Sequence, residues 1–303
     1  MTPFAPLIRS MNKPNGMSGI FTALLTPFNP DYSINLDSLK KLVEFNIRSG
    51  VNGFYVGGST GEAMLMTQDE RKLVLKAVKD FAGDRVKLIA HAGSTATDFA
   101  VDLALYAKTL GYNAVSAVAP FYYGHTLQAV KQYYYDIAAA ADMPLFIYNF
   151  PASNGFGLNA DIAAEMFEAD ERIAGIKHTS TDLFTLRQIK RRIPRAVVFN
   201  GFDEICLAGL SMGADGAIGS TYNFMGSKFV SLYEAFKAGN IEKAQKLQNE
   251  ASDIIAVMCR YGVFQCEKEI LTQMGIDMGQ CRKPFLPLSS EGKKAVSDLL
   301  LNL

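Results

Sequence analysis

Short apolar runs and amphipathic stretches alternate along most of the chain. GIFTALLTPF (19–28) reads as a buried strand. NLDSLKKLVEFNIRSG (35–50) places apolar residues at helical spacing between a candidate N-cap, Asn35, and a candidate stop, Gly50. The same couple then recurs. GFYVGG (53–58) precedes a helix at 67–83, where Thr67 and Glu70 have capping-box spacing. VKLIAHAG (86–93) precedes a helix at 98–111, AVSAVAP (114–120) one at 126–141, and PLFIYNFP (144–151) one at 159–170. IAGIKHTS (173–180) precedes a helix at 182–194, AVVFNGF (196–202) one at 203–214, and GAIGSTYN (216–223) one at 227–239. Strands that are apolar throughout, each followed by a helix, form a parallel sheet covered by helices. Eight such units predict a closed (β/α)₈ (TIM) barrel rather than an open doubly wound sheet. No GxGxxG loop follows the first strand, which removes the main sign of a dinucleotide-binding fold.

Beyond residue 239 the pattern is helical, interrupted by CRKPFLPL (281–288). The division expected is a flexible leader at 1–17, a catalytic barrel at 18–239 and a C-terminal helical extension at 240–303 packed on the barrel. Arg9 and Lys13 without an acid give the first 16 residues a faint likeness to a transit peptide, beside the plainer reading as a disordered leader.

Composition narrows the function. Thirty Lys and Arg balance thirty Asp and Glu, which supports neither nucleic-acid nor membrane-surface binding. No apolar run is long enough to span a bilayer. Cys206, Cys259, Cys266 and Cys281 form no CxxC pair, and His91, His125 and His178 are scattered, so no metal site is expected. The cysteine pattern suits a reducing, cytoplasmic compartment.

A barrel of this kind carries its chemistry at the C-terminal ends of its strands. Those ends read GGSTGE, PFYYGH, YNFP, KHTS, NGFDE and GSTYN, so polar groups gather at one rim. The sixth strand ends on Lys177, with no carboxylate within four residues on either side. Strand alternation puts Lys177 on one face with Gly175 and Thr179, and Ile176 and His178 on the other. The small Gly175 suggests that Lys177 faces the lumen and His178 the helix layer. Tyr148 ends the preceding strand and is expected beside Lys177. A lysine amine desolvated in such a lumen loses its preference for the charged form and can attack a ketone to form a Schiff base. The alternative is a lysine that snorkels from the strand end into solvent, and the pattern alone leaves both open. GGSTGE is either a plain glycine turn or a carboxylate cradle of backbone N–H groups and the Ser59 and Thr60 hydroxyls. At least one of Asp203 and Glu204 is expected to cap the following helix at its N-terminus.

Taken together, GGSTGE, SAVAPFYY, YNFP, GIKHTS, NGFDE and GADGAIGSTYN resemble the pyruvate-dependent aldolase family that includes dihydrodipicolinate synthase, over about residues 18–285. The likeness is strongest to its N-acetylneuraminate lyase branch. It implies a barrel with C-terminal helices, usually a homotetramer, no metal and no organic cofactor. It implies that Lys177 is the Schiff-base lysine and Tyr148 the proton-shuttling tyrosine. Ser59 and Thr60 match the pair that holds the pyruvate carboxylate. Tyr122 matches the tyrosine lent across a subunit interface to complete the Ser59–Tyr148 relay. Thr179, Gly201, Asp203, Glu204 and Ser220 fall where that branch contacts the hydroxyls of a sugar chain.

Two details favour that branch. Dihydrodipicolinate synthases typically carry GTTGE and an arginine soon after YNxP that binds a second carboxylate. Here the loop is GSTGE, and YNFPASNGFG holds no arginine. The expected reaction is the reversible cleavage of N-acetylneuraminate to N-acetylmannosamine and pyruvate. The alternatives are a sister aldolase acting on another 2-keto acid, dihydrodipicolinate synthase itself, and a non-catalytic sialic acid-binding or scaffolding barrel.

Overall fold

The computed structural model describes residues 16–301. Eight parallel strands close in chain order into a barrel: β1 (Gly19–Ala23), β2 (Gly53–Val56), β3 (Lys87–His91), β4 (Ala114–Val118), β5 (Leu145–Asn149), β6 (Ile173–His178), β7 (Val197–Asn200) and β8 (Gly216–Gly219). β1 pairs with β8, Phe21 opposite Ile218. The strands are shorter than their apolar runs, because the last residues of each run leave the sheet to build the rim. The caps read from sequence are present. Asn35 accepts from the Ser38 N–H at 3.0 Å, and Thr67 and Glu70 form a reciprocal capping box. The start of the helix after the eighth strand also differs. Tyr222 and Asn223, read as the end of the eighth strand, belong to the helix Tyr222–Lys237, which starts five residues before the expected 227. The Asn223 side chain explains the early start: it accepts from the Leu25 N–H and donates to the Ala23 and Ser220 carbonyls, tying the helix start to the ends of β1 and β8.

Strand alternation sorts the core into two parts. Phe21, Tyr55, Ile89, Phe146, Tyr148, Phe199 and Ile218 fill the lumen, and the opposite faces pack against the helices. A Cβ at Gly175 would lie 2.2 Å from the Phe146 ring, so the missing side chain below Lys177 makes room for a lumen aromatic. The helices Ile241–Tyr261, Val263–Gln273 and Ser290–Leu300 follow the barrel, and Ala251, Met258 and Leu271 join its outer core. Of the leader expected at 1–17, residues 1–15 lie outside the described residues, and Met17 at its far end is buried in the lumen cluster. No helix among the described residues is long and apolar enough to cross a membrane.

Candidate active site

β5 and β6 pair so that Tyr148 stands directly opposite Lys177. Lys177 is only 5% exposed. Its Nζ lies 4.3 Å from the centre of the Tyr148 ring and 4.4 Å from that of Tyr55. Among the described residues no carboxylate stands within ion-pair distance of it. The amine is thus held in the lumen by two aromatic faces, as the alternation of GIKHTS predicts, rather than turned outward. His178 points the other way: Nδ1 lies 3.0 Å from Asn149 Nδ2 and Nε2 lies 2.9 Å from the Asp182 carbonyl. That pattern fits a neutral ring donating from Nε2, and burial lowers its pKa further.

Tyr148 is fixed on three sides. Its ring stacks on Phe150 at 5.7 Å and meets His91 and Tyr55 edge-on at 5.9 Å each. His91 is locked in turn. Its Nδ1–H faces the Gly57 carbonyl at 3.0 Å, and its Nε2 accepts from the Val118 N–H at 3.2 Å. Burial, then the nearby Arg71, holds its pKa well below the ordinary value, so the ring is neutral. Tyr55 donates to Ser116 Oγ at 2.9 Å, which donates to the Phe146 carbonyl. Sequence reasoning missed Tyr55 and His91, although alternation from Gly53 and Ile89 puts both on the lumen side.

The loop after β2 turns through hydrogen bonds from the Gly61 and Glu62 N–H groups, and those of Ser59 and Thr60 take no part in it. Glu62 adopts a left-handed conformation, φ 57°. Its carboxylate is buried against Lys268 Nζ at 2.5 Å and accepts from the Arg282 N–H at 2.7 Å. Lys268 lies over the Phe28 ring, and the Arg282 side chain pairs with Glu70. The extension thereby clamps the loop from outside the barrel.

Nine of the ten expected residues line one cavity of about 350 Å³. They are Lys177, Tyr148, Ser59, Thr60, Thr179, Gly201, Asp203, Glu204 and Ser220. Tyr122 is the tenth and lies outside it. It is 87% exposed, with φ 80° and its ring edge-on to Tyr123. Asp203 does not cap the helix that follows it. Its Oδ2 accepts from the Thr221 N–H at 2.9 Å and the Thr221 hydroxyl at 2.7 Å. Burial outweighs those bonds and raises its pKa to about 6. A Cβ at Gly201 would lie 2.0 Å from Thr179 Oγ1. Gly201→Ala should therefore push Thr179 from its place and lower kcat/KM at least tenfold, with melting temperature as the control for folding. The extension supplies a wall that sequence reasoning missed: Ile255, Cys259, Val263 and Phe264. Among the described residues no three His, Cys, Asp or Glu side chains stand close enough to hold a metal ion.

The model of the dihydrodipicolinate synthetase family matches residues 16–303. This chain belongs to that family. Its members share the barrel. The N-acetylneuraminate lyase of Rhizobium meliloti (strain 1021) is 46% identical over 272 residues, 89% of each chain. That of Escherichia coli (strain SMS-3-5 / SECEC) is 42% identical over 277 residues, 91% of this chain and 93% of the other. The solved structure of CdNal from Clostridium difficile in complex with mannosamine superposes with a TM-score of 0.92 at 36% identity. It covers 94% of this chain and 99% of that one. The family makes this protein a lyase related to sialic acid aldolases.

Proposed function

We propose that this protein is a Schiff-base aldolase that cleaves N-acetylneuraminate reversibly into N-acetylmannosamine and pyruvate. One observation carries the reading: a buried amine at Lys177 sits beside Tyr148 in a pocket that also holds Thr179, Asp203, Glu204 and Ser220. The two relatives named above as N-acetylneuraminate lyases support the substrate. The Lys177 amine attacks C2 of the open-chain keto acid, and loss of water leaves an iminium. Tyr148 gives its proton to the hydroxyl that departs as water, and its phenolate then takes the proton from the C4 hydroxyl and returns it at C3. The C3–C4 bond breaks, its electrons pass into the iminium, and N-acetylmannosamine departs from an enamine. Protonation at C3 and hydrolysis return pyruvate and the free lysine. Ser59 and Thr60 hold the carboxylate with hydroxyls and with N–H groups the turn leaves available, which orients C2 toward the amine. The chemistry needs no metal or organic cofactor, since the iminium is the electron sink.

The remaining features fit the same reading. Tyr122 is exposed in its own subunit beside Tyr123, which supports a homotetramer in which it reaches a neighbouring pocket. Four free cysteines support a cytoplasmic setting. Substrate profiling tests the assignment. Release of pyruvate from N-acetylneuraminate, with no condensation of the dihydrodipicolinate synthase substrates, is the expected result. The reverse preference would assign the protein to the sister branch.

A further inference from the structure

Glu267 lies on the helix Val263–Gln273, one turn beyond the pocket-lining Val263 and Phe264. It is fully buried, and neither carboxyl oxygen closes a hydrogen bond. Among the described residues no cation stands within ion-pair distance of it. The adjacent Lys268 turns away to Glu62. The side chain that meets its carboxyl is Ser220, and the charge that acts on it from the pocket side is Asp203. Asp203 Oδ1 is also buried without a partner. The Asp203 charge disfavours the ionised form of Glu267. The Ser220 backbone is already fixed, because its carbonyl accepts from the Asn223 N–H and Nδ2. The Ser220 hydroxyl is therefore the part of that residue left to be oriented.

We propose that Glu267 is a positioning residue: its carboxyl stands behind Ser220 and orients the Ser220 hydroxyl toward the sugar chain of the substrate. This rests on the reading of the pocket as a sialic acid site and adds a residue outside the contact set expected from sequence. The titration agrees. Burial first, opposed by the Ser220 hydroxyl and aided by Asp203, raises Glu267 to about 8. The other titratable groups around it are Cys266 and Lys268 on its own helix, Glu62 paired with Lys268, and Cys281 on the closing segment.

The test compares E267L with E267Q, whose amide keeps the donor and acceptor of a neutral acid. E267L should raise KM for N-acetylneuraminate about tenfold. Borohydride trapping of pyruvate on Lys177 should proceed at the wild-type rate. E267Q should recover most of that loss. In an S220A background E267L should add little. Glutamine behaving as badly as leucine, or E267L slowing pyruvate trapping equally, would overturn the proposal. If E267L does not fold, the pH profile of E267Q decides. Wild-type KM should rise as pH passes about 8, whereas the E267Q profile stays flat there, and identical profiles would contradict the assignment. A wild type that traps pyruvate but ignores N-acetylneuraminate would instead overturn the substrate reading.

Discussion

Lys177→Ala should abolish turnover, lowering kcat by about 10⁴-fold or more, because no other group can form the iminium. The protein should still fold. Lys177 has no carboxylate partner among the described residues, so its removal leaves no orphaned counter-charge, only a gap between the Tyr55 and Tyr148 rings. A melting temperature near the wild-type value together with no pyruvate release is the expected result. Residual activity within tenfold of wild type would move the chemistry to another residue.

Tyr148→Phe should lower kcat by about 10²–10³-fold, the usual contribution of a positioned proton carrier, and change KM by no more than about threefold. The ring contacts with Phe150, His91 and Tyr55 do not need the hydroxyl, so phenylalanine should keep the pocket's shape. The split between kcat and KM is the informative quantity. Parameters equal to wild type would rule out the proton role, and a large rise in KM alone would make Tyr148 a binding group.

The barrel was legible because each of its eight units carries a local signal, an apolar run followed by a periodic helix, and Asn35 and Thr67 add caps to the first two. Lys177 and Tyr148 were legible because period-two alternation and parallel pairing need only local sequence and strand order. What could not be read depends on contacts between distant segments. Ile255, Cys259, Val263 and Phe264 look like core positions of amphipathic helices, and only the docking of the extension turns them to the pocket. The Glu62–Lys268 pair spans 206 positions of sequence, and no motif marks it. Tyr55 reads as one more strand aromatic until the amine is seen over its face. Asp203 was read as a possible helix cap, the common role for an acid there, but Thr221 at the end of β8 supplies the closer donors.

The central claim is that Lys177 is the amine that captures the substrate's ketone. Borohydride reduction in the presence of N-acetylneuraminate, read by intact mass and peptide mapping, tests it most directly. The account predicts a reduced pyruvyl adduct on Lys177 and on no other residue. No adduct with N-acetylneuraminate or with pyruvate, or an adduct on a different lysine, would contradict it.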